Sequence, residues 1–437
     1  MPKGLRKLTF SVDGDGLTRF AGLVLFQAFC KSLGLRRFLQ RRVNWPVSGR
    51  KYHQVDLFLT HIVAIAAGIG RIENTRSLKH NGLLPSLLGL PEFPHRDTLR
   101  TFLLSADAGF LQSLQHAHDL LRRWALQDAL KIWGALLDVD TTSLRVFGRQ
   151  MEGGVVGYVP HYSHQRCYNV RLLTEAATGL SLAGEFRPGN TLGVVDIIPF
   201  VLSGLQRLPS RVAMSRVRLR ADAGFYDGRL VKSIDEKGLG FIMAAKATSR
   251  LQSVMHKIRF KASVGDWQVG EFTYQPIHWE KPTRFVAARK LSGLIEPPVT
   301  LFVMEEYAYH ILATNLKLSA RGIWRLYAQR MSQELLIKEL KCHYAMTKIP
   351  SRKLLANQVY FEILLWAYDL INLFRLLCLP EHCRAWSLST IRRELFVLPA
   401  QFVHTQNRNR LRLPKSYPHL DIFTHAYQKA QKIRPLG

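Results

Sequence analysis

Three groups of residues in this sequence have the types and spacing to hold a cation against phosphate oxygens. The first is Asp138-Val139-Asp140-Thr141-Thr142, at the end of an apolar run. Side chains alternate along a strand, so Asp138 and Asp140 face the same way, at the place where a sheet presents catalytic groups. Alone, the pair fits ordinary turn-forming carboxylates equally well. The second is Asp222 in RADAGFYDG, where Ala221, Ala223 and Gly224 leave open space beside the carboxylate. An Asp here could instead cap the following helix, as could Asp227. The third is a stripe of Tyr327, Arg330, Glu334 and Lys341. On one continuous helix, at about 100° per residue, all four fall within an arc of roughly 60°. A carboxylate flanked on its own face by Arg and Lys suits a site where phosphate oxygens and a cation must be held together. Lys338 and Glu339 on the same helix fit an ordinary charged surface.

The elements that would position these groups follow from periodicity. Residues 16–42, 53–82 and 94–126 carry apolar positions at helical spacing, so the first third is expected to be all-α. Its basic clusters, Arg36–Arg37, Arg41–Arg42 and Arg50–Lys51, could contact phosphates. From Lys131 the texture becomes three strands (KIWGALLDVD, YNVRLLTEA, LSLAGEFRPG), a helix over 193–209, the strand VRLRADAG, a helix over 228–238 and the strand GFIMAAKA. Helices packed on a mixed sheet are the expected outcome. Residues 257–315 keep a β texture, as an inserted subdomain, and one long helix is expected from an N-cap at Ser319 to about Tyr344.

The chain has 437 residues, 47% of them hydrophobic, enough for several domains with buried cores. Its 61 Lys and Arg against 32 Asp and Glu leave a net charge of +29, which points to nucleic acid as the partner. The five cysteines have no metal-ligand spacing and read as reduced thiols of a cytosolic protein. MPKGLRKLTF lacks the apolar run of a signal peptide. The apolar stretch 354–379 is interrupted by Asn357, Gln358, Glu362, Asp369, Asn372 and Arg375, so it reads as a buried helix and not as a membrane span.

Tyr-x2-Arg-x3-Glu-x6-Lys at Tyr327, Arg330, Glu334 and Lys341 resembles the YREK signature of bacterial insertion-sequence transposases of the DDE class. DVDTT, then VFGRQMEGGVVGYVPH, RPGN, RADAGFYD and IKELK resemble that group in order from about residue 130 to 380. Leu335 and Val159 depart from the pattern, each standing where Asn is more familiar. The resemblance implies an α/β fold: an RNase H-like mixed sheet flanked by helices, with a β-rich insertion, a helical N-terminal domain and a helical C-terminal region. The corresponding division is a DNA-binding domain over 1–127, core over 128–250, insertion over 251–316, second core part over 317–380 and a basic region over 381–437. It makes Asp140, Asp222 and Glu334 the catalytic carboxylates, separated by 82 and 112 residues. Asp138 is a rival to Asp140 on the same strand face.

Three oxygen ligands suit Mg2+, with Mn2+ able to substitute, and two such ions would drive in-line displacement at phosphorus. The implied reaction is cleavage of double-stranded DNA at transposon inverted-repeat ends, followed by attack of the freed 3′-hydroxyl on target DNA by a dimer assembled on DNA. Tyr327, Arg330 and Lys341 would hold the backbone. Trp279, or alternatively Trp267, could stack on an unpaired base, although either fits a core position. His161, His164 and His343 lack partners at ligand spacing and are read as local hydrogen-bonders. The C-terminal segment 391–420 could reach along DNA or a second protomer. Two other readings use the same residues: a DNA-binding protein derived from a transposase without catalysis, and an RNase H-like nuclease.

Overall fold

The computed structural model describes residues 16–47, 51–79, 83–160, 162–246, 248–263, 265–295, 304–405 and 408–437. MPKGLRKLTF, Arg50 and His161 lie outside them. The chain divides into two compact units, Gln115–Lys338 with Arg352–Leu354, and Met1–Leu114 with Glu339–Ser351 and Leu355–Gly437.

The first unit is built on a sheet that has ten strands among the described residues. Numbered along the chain within this sheet they are β1 (Ala135–Arg145), β2 (Val155–Val156), β3 (Arg166–Glu175), β4 (Ser181–Pro188), β5 (Val217–Ala221), β6 (Gly240–Ala244), β7 (Lys261–Ala262), β8 (Gln268–Tyr274), β9 (Thr283–Ile295) and β10 (Met304–Thr314). β1 pairs in parallel with β5, and β5 in parallel with β6. On its other edge β1 pairs antiparallel with β3, which pairs antiparallel with β4. The order β4-β3-β1-β5-β6, with only β3 reversed, is that of an RNase H-like sheet. Covered central strands should read as continuous apolar runs, and GFIMA in β6 does.

The β-rich insertion extends this sheet instead of standing apart from it. Leu312, Ala313 and Thr314 of β10 pair with Ala244, Met243 and Ile242 of β6, covering what would be an open edge. Ile242, Val269, Val286, Ala288 and Leu312 form a common core with Ile323 and Trp324 of helix Ala320–Ala328. That helix starts where expected, with the Ser319 hydroxyl accepting from the Gly322 amide at 3.2 Å. It is not the single long helix read from the sequence. It stops at Ala328, and a second helix runs Met331–His343. At the break the amide of Arg330 bonds the Tyr327 carbonyl at 2.8 Å and that of Gln333 the Arg330 carbonyl at 2.9 Å, three-residue bonds that tighten the turn.

In the second unit, helices Leu23–Ser32, Leu35–Arg42, Gln54–Ala66 and Arg96–Leu104 belong with helix Leu354–Cys378. Trp366 of that helix meets Phe58 edge-on at 5.8 Å, and Phe374 meets Phe26 edge-on at 6.2 Å. Of its polar residues, Asn357, Glu362, Asp369 and Asn372 are buried and Gln358 and Arg375 are half-buried. Asn357, for one, bonds both the amide and the carbonyl of Ser351, at 3.0 and 2.9 Å. No described helix is long and apolar enough to cross a membrane. The C-terminal region is not helical throughout: a hairpin, Ala400–Thr405 and Arg408–Arg412, takes Leu17–Thr18 as a third strand. Of the basic clusters, Arg36 is engaged internally, with the Leu88 carbonyl at 2.6 Å and Asp56 at 2.5 Å.

His61 sits in this helical core beside Phe102 and Tyr360, with Nε2 3.4 Å from the Leu99 carbonyl. Burial lowers its pKa from 6.5 to about 4. The unfolded chain therefore binds this proton first on acidification. Stability is fully present above pH 6.5 and declines down to about pH 4, by about 3 kcal/mol from this group. Denaturant unfolding across that range should show His61→Gln with a shallower acid decline than the wild type; an unchanged slope would contradict this assignment.

Candidate active site

Asp140 lies on β1, level with the end of the neighbouring β5, because Val139 pairs with Ala221 in parallel register. The next residue on the β5 side is Asp222. Side-by-side parallel strands thus deliver both carboxylates to the C-terminal end of the central pair. The Asp222 carboxylate accepts from the Gly224 amide at 2.8 Å. A Cβ on residue 224 would lie 2.9 Å from that oxygen, so glycine is needed for the approach. Asp227, not Asp222, caps helix Gly228–Glu236, accepting from the Arg229 and Leu230 amides at 2.9 and 3.2 Å.

Arg330, in the turn between the two helices, reaches both carboxylates. One guanidinium nitrogen, Nη2, is 3.1 Å from Asp140 and 3.7 Å from Asp222, and it donates to the Val139 carbonyl at 3.2 Å. Its Nε is a buried donor with no acceptor among the described residues, as is Nε2 of Gln333. Oε1 of Gln333 accepts from the Thr174 hydroxyl of β3 at 2.5 Å, pinning the start of helix Met331–His343 to the sheet.

Burial raises the Asp140 pKa to about 6; Arg330 opposes the shift, while the negative charges of Asp222 and Glu334 add to it. Tyr327 feels the same charges. Burial raises its hydroxyl pKa against the opposing Arg330, and Asp222, Asp140 and Glu334 reinforce the rise. Glu334 is exposed at the start of its helix, close enough to act electrostatically on Asp140. Lys341 belongs to the other unit.

The two aspartates on the shared face of β1 have different surroundings. Asp138 is 1% exposed and its carboxylate takes two bonds from Arg220, at 2.7 and 2.6 Å. The third arginine nitrogen donates to the Leu326 carbonyl at 2.6 Å. Asp138 is therefore fully engaged in a buried ion pair, and Asp140 is the carboxylate that meets Asp222. The role of Arg220 has no local signal in the sequence, because it depends on the parallel strand pairing that sets Asp138 opposite Arg220. The same holds for Arg171 of β3, which is buried and holds the loop after β4 through the Gly193 and Val195 carbonyls at 2.9 and 2.6 Å.

A pair of carboxylates sharing one cationic nitrogen is a donor set that fits a hard divalent ion. Among the described residues no three Asp, Glu, His or Cys side chains stand close enough to hold one together. The two tryptophans read as stacking candidates are packed. Trp279 is 8% exposed, with Tyr226 at 5.1 Å and Phe285 at 6.3 Å. Trp267 packs on Trp324 at 4.4 Å and His310 at 5.5 Å. Their ring faces serve the core, so neither stands as an open platform.

Residues 2–435 match a protein-family model described as transposase DDE domain group 1. No curated protein sequence matches the chain. Among solved structures, the piggyBac transposase in a synaptic complex with hairpin DNA is similar over 87% of this chain and 81% of its own, at 12% identity and a TM-score of 0.47.

The contrast between the two aspartates is measurable as stability. Burial raises the Asp138 pKa as it does that of Asp140, but among the described residues Asp138 is the sole carboxylate bonded to the buried Arg220, so Asp138→Asn leaves that guanidinium without a counter-charge and should cost about 3–5 kcal/mol. Asp140→Asn removes a carboxylate whose ionisation opposes folding. The raised pKa means the native state is favoured while Asp140 is protonated, and that contribution is lost as pH rises from 3.8 through about 6. Without added metal, Asp140→Asn should therefore match or exceed wild-type stability at pH 8, by up to roughly 3 kcal/mol, and lose that advantage near pH 4. Equal destabilisation by both substitutions in urea melts would refute the distinction.

Proposed function

This chain belongs to the transposase DDE domain family, and from that premise we propose that it cleaves double-stranded DNA at transposon ends and joins the freed 3′-hydroxyls to target DNA. The observation that carries the proposal is the placing of Asp140 on β1 beside Asp222 at the end of the neighbouring β5, both within reach of Arg330 Nη2. An ordinary structural ion pair needs one carboxylate per arginine. Two carboxylates beside a guanidinium whose Nε has no acceptor make a site short of both positive charge and an acceptor. A metal-bound phosphate supplies both.

Asp140, Asp222 and Glu334 would hold Mg2+, or Mn2+ in its place, which would activate the attacking water or 3′-hydroxyl and neutralise charge on the leaving oxygen. The protein's own groups do the positioning. Arg330 offers its free donor to a phosphate oxygen, in the charge-assisted geometry that a guanidinium favours. The Tyr327 hydroxyl, kept protonated by its surroundings, donates to the backbone without competing for the cation. Lys341 adds a point charge farther along the strand. The buried setting of Asp140 and Arg330 keeps these charges strong by limiting water around them. Because transposition joins two ends, we propose a dimer on DNA as the active assembly.

The test is cleavage of a fragment carrying the inverted repeats that bracket the gene, with Mg2+ or Mn2+. Asp140→Ala, Asp222→Ala and Glu334→Ala should each reduce strand scission to below about a hundredth of wild type while DNA binding survives. Arg330→Lys should cut more slowly than wild type, since an ammonium cannot span both carboxylates and a phosphate. A wild-type protein that binds the ends but never cuts them would favour a DNA-binding protein without catalysis. Undiminished cutting by the alanine variants would move the active site elsewhere.

A further inference from the structure

β1 does not end at the catalytic pair. Its neighbour β5 stops at Ala221, but β1 runs on to Arg145, five residues past Asp140, or about 17 Å of extended chain. It is supported there by β3, with Arg145 paired to Cys167. The short strand β2 pairs with β3, through Val155 with Cys167 and Val156 with Arg166, and the residues after it come back to this overhang: Ser143 donates to the Tyr158 carbonyl at 2.5 Å, and beyond it Val159 and Tyr162 form a bridge. The overhang therefore projects from the end of the sheet where the carboxylates stand.

Its surface is unusual for a strand end. Phe147 is 81%, Tyr158 76% and Tyr162 50% exposed, although aromatic rings of this size normally seek burial. The Arg145 guanidinium carbon lies 4.0 Å from the Tyr162 ring centre and 5.2 Å from that of Phe147. No described carboxylate pairs with Arg145, and its Nε is buried without an acceptor among the described residues. Exposed π-faces around an arginine lacking a counter-anion complement a partner that has both flat rings and phosphates. Duplex DNA offers its phosphates but keeps its bases stacked inside; unpaired nucleotides offer both.

We propose that Phe147, Tyr158 and Tyr162, with Arg145, bind unpaired nucleotides of the DNA strand that leaves the catalytic carboxylates. This rests on the DNA-processing reading above and deepens it by naming the form of DNA that the overhang takes. The rings accept any base, so the surface distinguishes unpaired from paired DNA and not one sequence from another.

The test uses the full chain and a labelled oligonucleotide of mixed sequence, alone and annealed to its complement, read by fluorescence anisotropy. The triple variant Phe147→Leu/Tyr158→Leu/Tyr162→Leu should lose at least about tenfold in affinity for the single strand and less than about twofold for the duplex. A second triple variant, Phe147→Tyr/Tyr158→Phe/Tyr162→Phe, keeps the rings and should bind both as the wild type does. Retained single-strand affinity in the leucine variant overturns the proposal, as does equal loss for both DNA forms. A change in oligomeric state by light scattering, with single-strand binding intact, would make the patch a protein interface instead. Wild-type protein that binds neither DNA form would refute the underlying DNA reading, an outcome distinct from failure of the patch alone.

Discussion

The buried pair of Asp138 and Arg220 is the constraint on which the site's geometry depends. Arg220 is 1% exposed and spends two nitrogens on Asp138 and one on the Leu326 carbonyl. It thereby ties β1, β5 and the end of helix Ala320–Ala328 at a single point. Two residues on, the same strands carry Asp140 and Asp222, and four residues past Leu326 the chain turns at Arg330. Charges this deep rarely raise stability over an apolar substitute, because desolvation offsets much of their attraction. What they supply is register. A slip of one residue between β1 and β5 would leave Arg220 facing Leu137 or Val139 and separate the two carboxylates.

Asp140 and Asp138 show how one strand face can carry two roles. Both aspartates are buried and both have an arginine nearby. Arg220 matches Asp138 fork to fork, whereas Arg330 gives Asp140 a single nitrogen that also faces Asp222 and the Val139 carbonyl. The pair at 138 is complete and therefore inert. Burial lifts the Asp140 pKa to about 6 against the pull of Arg330, with Asp222 and Glu334 adding to the rise; burial raises Asp138 too, but there two bonds from Arg220 oppose it. A carboxylate whose pKa is raised by burial costs the folded protein stability when it ionises, and such groups cluster at functional sites.

Much of this was legible in the sequence, for definite reasons. The strand and helix order from Lys131 to Ala247 could be read because short apolar runs alternate with turn residues, and Asp222 stood out because Ala221, Ala223 and Gly224 surround it. The split between Asp138 and Asp140 was not legible, since it depends on a non-local strand register that sets Arg220 against Asp138. The break at Gln329–Arg330 was hidden because nothing in RLYAQRMSQELL is a helix breaker; the turn is held by tertiary bonds from Arg330 to Val139 and from Gln333 to Thr174. For the same reason the stripe of Tyr327, Arg330, Glu334 and Lys341 is not one face of one helix. Trp279 and Trp267 were ambiguous because periodicity does not report which faces of a ring are already covered.

The break changes what Arg330 can do. In an unbroken helix its side chain would leave from the helix surface, and its backbone amide and carbonyl would be held by four-residue bonds. In the turn, the three-residue bonds at Arg330 and Gln333 let the chain change direction between two anchors, the Ile323–Trp324 contacts with the extended half of the sheet and the Gln333–Thr174 bond at β3. Those anchors lie on opposite sides of the β1–β5 pair in the strand order. Arg330, between them in sequence, is thereby directed at the strands that carry the carboxylates. The strands of the insertion thus have a role in the site without lining it: by extending the sheet past β6 they provide the surface that fixes helix Ala320–Ala328, and so where Arg330 begins its reach.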